Sequence, residues 1–119
     1  ASLTGTRSGA AAAATYAVMM HLGREGFQKM VDYCMDLTEH LVAGARKIGV
    51  EPVIEPVMNV VALSVPSPAK VREELMKLDW HVSMTREPNR ALRLILMGHM
   101  SKEKIDLFLA DLETVLSKL

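Results

Sequence analysis

The apolar positions follow a helical period up to residue 48 and break into shorter patterns after it. Ala10 to about Leu22 is a run of small and apolar residues, and alanine costs least in a helix, so a first helix is expected there. Gly23 breaks or bends it. From Arg24 to Ile48, Phe27, Met30, Val31, Cys34, Thr38, Leu41, Val42, Ala45 and Ile48 recur at helical spacing. This predicts a second helix with that side buried, while Asp32, Asp36, Glu39 and Arg46 fall largely elsewhere. Gly49 is well placed to stop it.

Val50 to Ile54 is a short extended segment, and Pro52 makes it an edge strand or no strand, because proline removes a ladder donor. Met58 to Val65 reads as a strand apolar on both faces. Ser67-Pro68 suits a helix start, with serine as cap and proline at the first position; Val71, Leu75 and Leu78 make that helix's buried stripe. His81 to Thr85 alternates, with Val82 and Met84 on one side. Glu87-Pro88-Asn89 reads as a turn, Ala91 to Met97 as a strong strand, and Gly98 as its end or kink. Ser101 caps a last helix whose seam is Ile105, Phe108, Leu109, Leu112, Val115, Leu116 and Leu119.

The order helix, helix, strand, strand, helix, strand, strand, helix predicts an α/β fold of the α+β kind. It is a two-layer sandwich, a small antiparallel sheet with helices on one face, preceded by two helices. Direct hairpins at 54–58 and 85–91 imply the antiparallel pairing. The boundary falls at Gly49: residues 1–48 are a loop and two helices, and 49–119 a small α/β domain.

Length and charge narrow the function. A chain of 119 residues with half its residues hydrophobic is long enough for one cored domain. Fourteen basic and fourteen acidic residues balance, which argues against a nucleic-acid surface. No apolar run approaches the roughly 20 residues of a membrane span. The single cysteine, Cys34, makes no internal disulfide and fits a reducing, cytoplasmic setting. Histidines at 21, 40, 81 and 99 form no HExxH pair and no CxxC occurs, so no metal site is expected. The chain begins with Ala and has no signal pattern, which fits a processed or excised piece of a longer protein.

Two arginines carry the candidate chemistry. Gly5-Thr6-Arg7-Ser8-Gly9 runs straight into the alanine-rich helix. Flexible glycines, a guanidinium and free backbone N–H groups at a helix start suit an anion such as phosphate, although it lacks the P-loop spacing; the plainer reading of Arg7 is a solvent-facing side chain. Arg93 stands in the middle of the most apolar strand, facing away from Leu92, Leu94 and Leu96. A charge there is costly unless paired, so its partner is a buried carboxylate or that of a ligand, or its stem reaches out to water. Ser83, Thr85 and His81 share a face and make a polar patch or simply a solvated one. His99 follows the strand and points into a cleft or packs locally. Cys34 reads as a small buried hydrophobe. Met19-Met20 and Met84 fill the core or line an interface. Asn59 orients a loop or caps a backbone group.

With Arg7 and Arg93 in place, the chain resembles the C-terminal part of the archaeal L-tyrosine/L-aspartate decarboxylases, within the group II pyridoxal-phosphate-dependent decarboxylases. The likeness rests on Ser2 to Gly9, Tyr16, Leu22 to Gly26, Cys34-Met35, Pro52 to Pro56, Asn59 to Ala62, Val82-Ser83, Leu92-Arg93-Leu94, and Met97 before His99. It covers nearly the whole chain, and the order and spacing of these short blocks make it specific. It departs at Gly98, where the family has proline before the histidine.

The resemblance implies the C-terminal domain of a fold-type-I pyridoxal-phosphate enzyme. The expectations it brings are a large N-terminal domain outside this chain, a homodimer with its active sites at the interface, and a small amino-acid substrate. Pyridoxal phosphate is the implied cofactor, the electron sink after carbon dioxide departs. Gly5, Thr6, Arg7 and Ser8 would lie near its phosphate, Arg93 would hold a substrate carboxylate, and Ser83 and His99 would sit by the cleft. The family's Schiff-base lysine precedes this segment, so no catalytic residue is expected here and the chain alone is expected to be inert. The alternatives are the small domain of another fold-type-I enzyme, an aminotransferase or lyase, and a non-catalytic interaction domain.

Overall fold

In the computed structural model the described residues are 9–86 and 90–119. The opening loop with Gly5, Thr6, Arg7 and Ser8, and the turn read at Glu87-Pro88-Asn89, lie outside them. Among the described residues seven elements follow in the expected order, the first two expected helices running together as α1: α1 (Gly9–Lys47), β1 (Glu51–Pro52), β2 (Val60–Ser64), α2 (Pro68–Lys77), β3 (Ser83–Met84), β4 (Leu92–Ile95) and α3 (Lys102–Ser117). The chain's contacts fall into two compact units, Ala1–Asp32 and Tyr33–Leu119.

In the first unit, α1 is interrupted at Gly23, whose φ of 61° and ψ of −173° take it out of the helix. Those angles lie in a region open essentially to glycine alone, so the break read from the sequence has a backbone cause. Tyr16, Val18, Met19, Met20, Phe27, Met30 and Val31 are all exposed. The buried stripe expected for the second helix is corrected here: Phe27, Met30 and Val31 keep its spacing but face water.

In the second unit the stripe is real. Leu37, Thr38, Leu41, Val42 and Ala45 are buried on α1, and Thr38 is satisfied by donating its hydroxyl to the Cys34 carbonyl at 2.8 Å. Gly49, at φ 83°, turns the chain out of the helix. The four strands lie in the order β1-β2-β4-β3, every pair antiparallel. Pro52 sits in the edge strand β1, where its missing donor costs nothing.

One face of the sheet carries Val61, Leu63, Leu92 and Leu96, all buried. These join Leu37 and Leu41 of α1, Val71 and Leu75 of α2, and Ile105, Phe108 and Leu112 of α3 in a single core. The other face carries Val60, Ser64, Arg93 and Ile95, all exposed. The fold is therefore a two-layer α+β sandwich with its helices on one side.

Three local readings change. β2 is buried on one face only, at Val61 and Leu63, while Val60 and Ser64 on the other are exposed. Leu78 is exposed rather than part of the α2 stripe; it is the residue at which α2 ends. Ser67 precedes α2 in a left-handed conformation (φ 46°) and makes no side-chain cap, leaving Pro68 as the start signal. Ser101 does cap α3, its hydroxyl accepting from the Lys104 amide at 3.3 Å. Among the described residues no helix is long and apolar enough to cross a membrane.

Gly23→Ala should cost about 1–3 kcal/mol if the break is kept, because alanine is strained at those angles. We expect the chain to escape that cost by continuing the helix. Helical Cα chemical shifts through residues 22–25 of the variant, absent in the parent, would check this; unchanged shifts would contradict it.

Candidate functional site

Arg93 lies in mid-β4, and its strand register decides its surroundings. Across the ladders it pairs with Ala62 on β2 and Ser83 on β3. Both neighbours are small, so the guanidinium stem rises from the open face with room around it. Among the described residues the Arg93 guanidinium makes no hydrogen bond or ion pair. The expectation that a mid-strand charge needs a buried partner therefore gives way to the alternative in which the stem reaches water. Arg46 shows the contrast: it donates from Nε to Glu51 at 2.9 Å and from Nη2 to Glu55. Those two hydrogen bonds, Glu51's first, raise its already high pKa.

Two clefts meet at Arg93. The first, of about 310 Å³, is mostly apolar and lies where the short β3 leaves the later part of β4 uncovered. Trp80, Val82, Leu94, Met100 and Phe108 line it, with His81, Ser83 and Arg93 on its polar side. Trp80 is anchored by its indole N–H, which donates to Asp111 at 2.7 Å, and meets Phe108 edge-on at 5.4 Å between ring centroids. The Met100 carbonyl accepts from the Tyr33 hydroxyl, which ties the loop before α3 to α1. The second cleft, of about 500 Å³, is shallow and polar, and follows β3 and the residues flanking 87–89. Arg72, Arg86, Arg90 and Arg93 line it with Ser83 and Thr85.

The expected patch of Ser83, Thr85 and His81 is thus split. Ser83 faces both clefts, His81 only the first and Thr85 only the second. Thr85 Oγ1 accepts from the Ala91 amide at 2.8 Å, so its hydroxyl also holds the hairpin. His99 is exposed in the loop after β4 and lines neither cleft. Asn59 caps a backbone group as read: its Nδ2 donates to the Leu96 carbonyl at 2.8 Å, while the Leu96 amide donates back to the Asn59 carbonyl at 2.9 Å. Cys34 is half-buried and free. Among the described residues no group of histidine, cysteine and carboxylate side chains is arranged to hold a metal ion.

Sequence reasoning missed Trp80 and the companions of Arg93. The crowding of Arg86, Arg90 and Arg93 in one short stretch was the available signal. Arg72 had none, because it reaches this place only by donating from α2 to the Val82 carbonyl, at 3.0 Å.

Comparison with solved structures gives the class. The backbone matches the sphingosine-1-phosphate lyase of Burkholderia pseudomallei with a TM-score of 0.80 and 24% identity, over 97% of this chain and 27% of that one. It matches mouse CSAD with a TM-score of 0.75 and 20% identity, over 88% of this chain and 27% of that one. The fold of this chain is shared with part of each of those two proteins. No family model matches the chain.

Curated relatives then narrow it. A probable L-tyrosine/L-aspartate decarboxylase of Methanothrix thermoacetophila is 70% identical over all 119 residues, which are 31% of its own length. One of Methanosarcina mazei is 63% identical over 98% of this chain and 29% of its own. A probable L-aspartate decarboxylase of Archaeoglobus fulgidus is 43% identical over 98% of this chain and 31% of its own. The chain is thus similar over its whole length to a part of archaeal proteins named probable L-tyrosine/L-aspartate decarboxylases, and spans about 30% of the length of the relatives it matches.

Asp111→Ala would leave the indole N–H of Trp80 without its partner. We expect a loss of about 1–2 kcal/mol, read by urea unfolding followed through the single tryptophan. Stability equal to the parent's would show that water replaces the carboxylate without cost.

Proposed function

We propose that this chain is the substrate-facing small domain of a pyridoxal-phosphate-dependent amino-acid decarboxylase acting on L-tyrosine or L-aspartate. The 70% identity over the whole chain to a relative named as such a decarboxylase carries the reading. The open guanidinium of Arg93 supports it from the structure. A planar fork with unused donors beside a part-apolar cleft suits a substrate carboxylate, which arginine binds in bidentate fashion.

The chain's own part in the reaction is binding and orientation. Arg93 would hold the carboxylate, Ser83 beside it would offer a hydroxyl, and the Trp80 cleft would exclude water from one side. The described residues do not themselves fit a cofactor anchor. No lysine lines either cleft, Lys77 is paired with Glu74 at 2.9 Å and Lys102 with Asp36 at 3.2 Å. Pyridoxal phosphate would be held by the rest of a longer protein, with Gly5, Thr6, Arg7 and Ser8 contributing near its phosphate.

The exposed Tyr16, Val18, Met19 and Met20 support a further part of the proposal, in which the first unit packs against a large domain or a second copy in a homodimer. The free, half-buried Cys34 fits a cytoplasmic protein.

The 119-residue chain, mixed with pyridoxal phosphate and either amino acid, should release no carbon dioxide above the cofactor-only control. In the longer protein that carries it, Arg93→Gln should lower kcat/KM by roughly a hundredfold, the scale of a lost charge-assisted contact, with Arg93→Lys recovering part of it. Turnover by the chain alone, or an unchanged kcat/KM in Arg93→Gln, would refute the reading.

A further inference from the structure

The polar cleft along β3 separates charge in a way the chain as a whole does not. Basic and acidic residues balance at fourteen each, yet among the described residues the lining of this cleft includes Arg72, Arg86, Arg90 and Arg93 and no aspartate or glutamate. Guanidinium groups stay protonated at any ordinary pH, so the cluster cannot relieve its repulsion by losing a proton. Arg72 spends its Nε on the Val82 carbonyl, which steadies the side chain and leaves its outer donors available. Among the described residues the guanidinium of neither Arg86 nor Arg93 makes a hydrogen bond or ion pair. The Ser83 hydroxyl adds a neutral donor on the same wall.

We propose that this cleft binds a compact, doubly charged oxyanion, a phosphate group or a small dicarboxylate. Two or more forks meeting on one ligand match the several acceptor oxygens of such an ion and leave a monocarboxylate under-bound. The site shares Arg93 with the proposed substrate contact, but it needs neither the cofactor nor the decarboxylase reading. The cleft is shallow, so the affinity should be modest and should fall steeply with salt.

The test uses the 119-residue chain without cofactor, titrated at low ionic strength with inorganic phosphate, succinate and acetate. Nuclear magnetic resonance of backbone amides and arginine Nε–H groups follows binding. Saturable shifts confined to residues 72, 83–86 and 90–93 are expected for phosphate and succinate, with acetate roughly tenfold weaker or more. The stronger of the two dianions identifies the source as a phosphate or a dicarboxylate.

The double variant Arg72→Gln/Arg86→Gln should raise the Kd about tenfold or more, and Arg24→Gln in the first unit should not change it. All three positions are exposed, so the variants should fold, and amide dispersion checks that they do. Arg86→Gln/Arg90→Gln provides a second, independent reduction of the cluster. Glu87→Gln, which removes the acid between Arg86 and Arg90 in the sequence, should bind as tightly or more so. Shifts that do not saturate, that spread over all the chain's cations, that favour acetate, or that survive either double variant would overturn the proposal, as would loss of binding in Glu87→Gln. Failure of decarboxylation in the longer protein would leave this readout untouched.

Discussion

One-sided cover of the sheet is the constraint on which the rest depends. α2, α3 and the part of α1 from Tyr33 onward bring their apolar stripes to a single face, and nothing in the second unit covers the other. A strand between such a filled side and an open one must alternate. β4 does so: Leu92 is buried and Arg93 exposed, Leu94 is partly buried and Ile95 exposed. A guanidinium on the filled side would pay a desolvation penalty of several kcal/mol and demand an acid. On the open side it needs none, and its donors stay available to a ligand.

The same arrangement makes the neighbourhood of Arg93 lopsided. β3 is only two residues long, so β4 loses its outer neighbour after Arg93 and the core is reachable beside Leu94. Trp80, held by Asp111 and Phe108, walls that opening. On the other side the hairpin and α2 bring arginines together. An apolar cleft and a cationic one therefore meet at Ser83 and Arg93.

The match between sequence and structure follows how local each signal is. Ser101 caps α3 through a bond to an amide three residues on, and Gly23 and Gly49 adopt backbone angles that glycine permits; such effects are complete within a few residues. Parity along 91–97 separated Arg93 from Leu92, Leu94 and Leu96 before any partner strand was known. Where the reading went astray, the deciding factor was remote. Phe27, Met30 and Val31 continue the stripe of Leu41 and Val42 without interruption, yet they fall outside the unit whose core that stripe fills. Val60 is as apolar as Val61, but only one of the two faces a helix.

Element types, their order, the antiparallel hairpins and the orientation of Arg93 within its strand were written in the chain, because each depends on backbone preferences and on a period of two or of about 3.6 residues. Resemblance added the family expectation, since a series of short motifs at kept spacing is informative even where each alone is not. Which apolar positions are buried, and which charges become neighbours, was decided only when the layers came together. Arg72 stands some twenty residues before Arg93, and no local pattern links them. Antiparallel pairing of β3 with β4, and the seat of α2 beside β3, put both on the wall of one cleft.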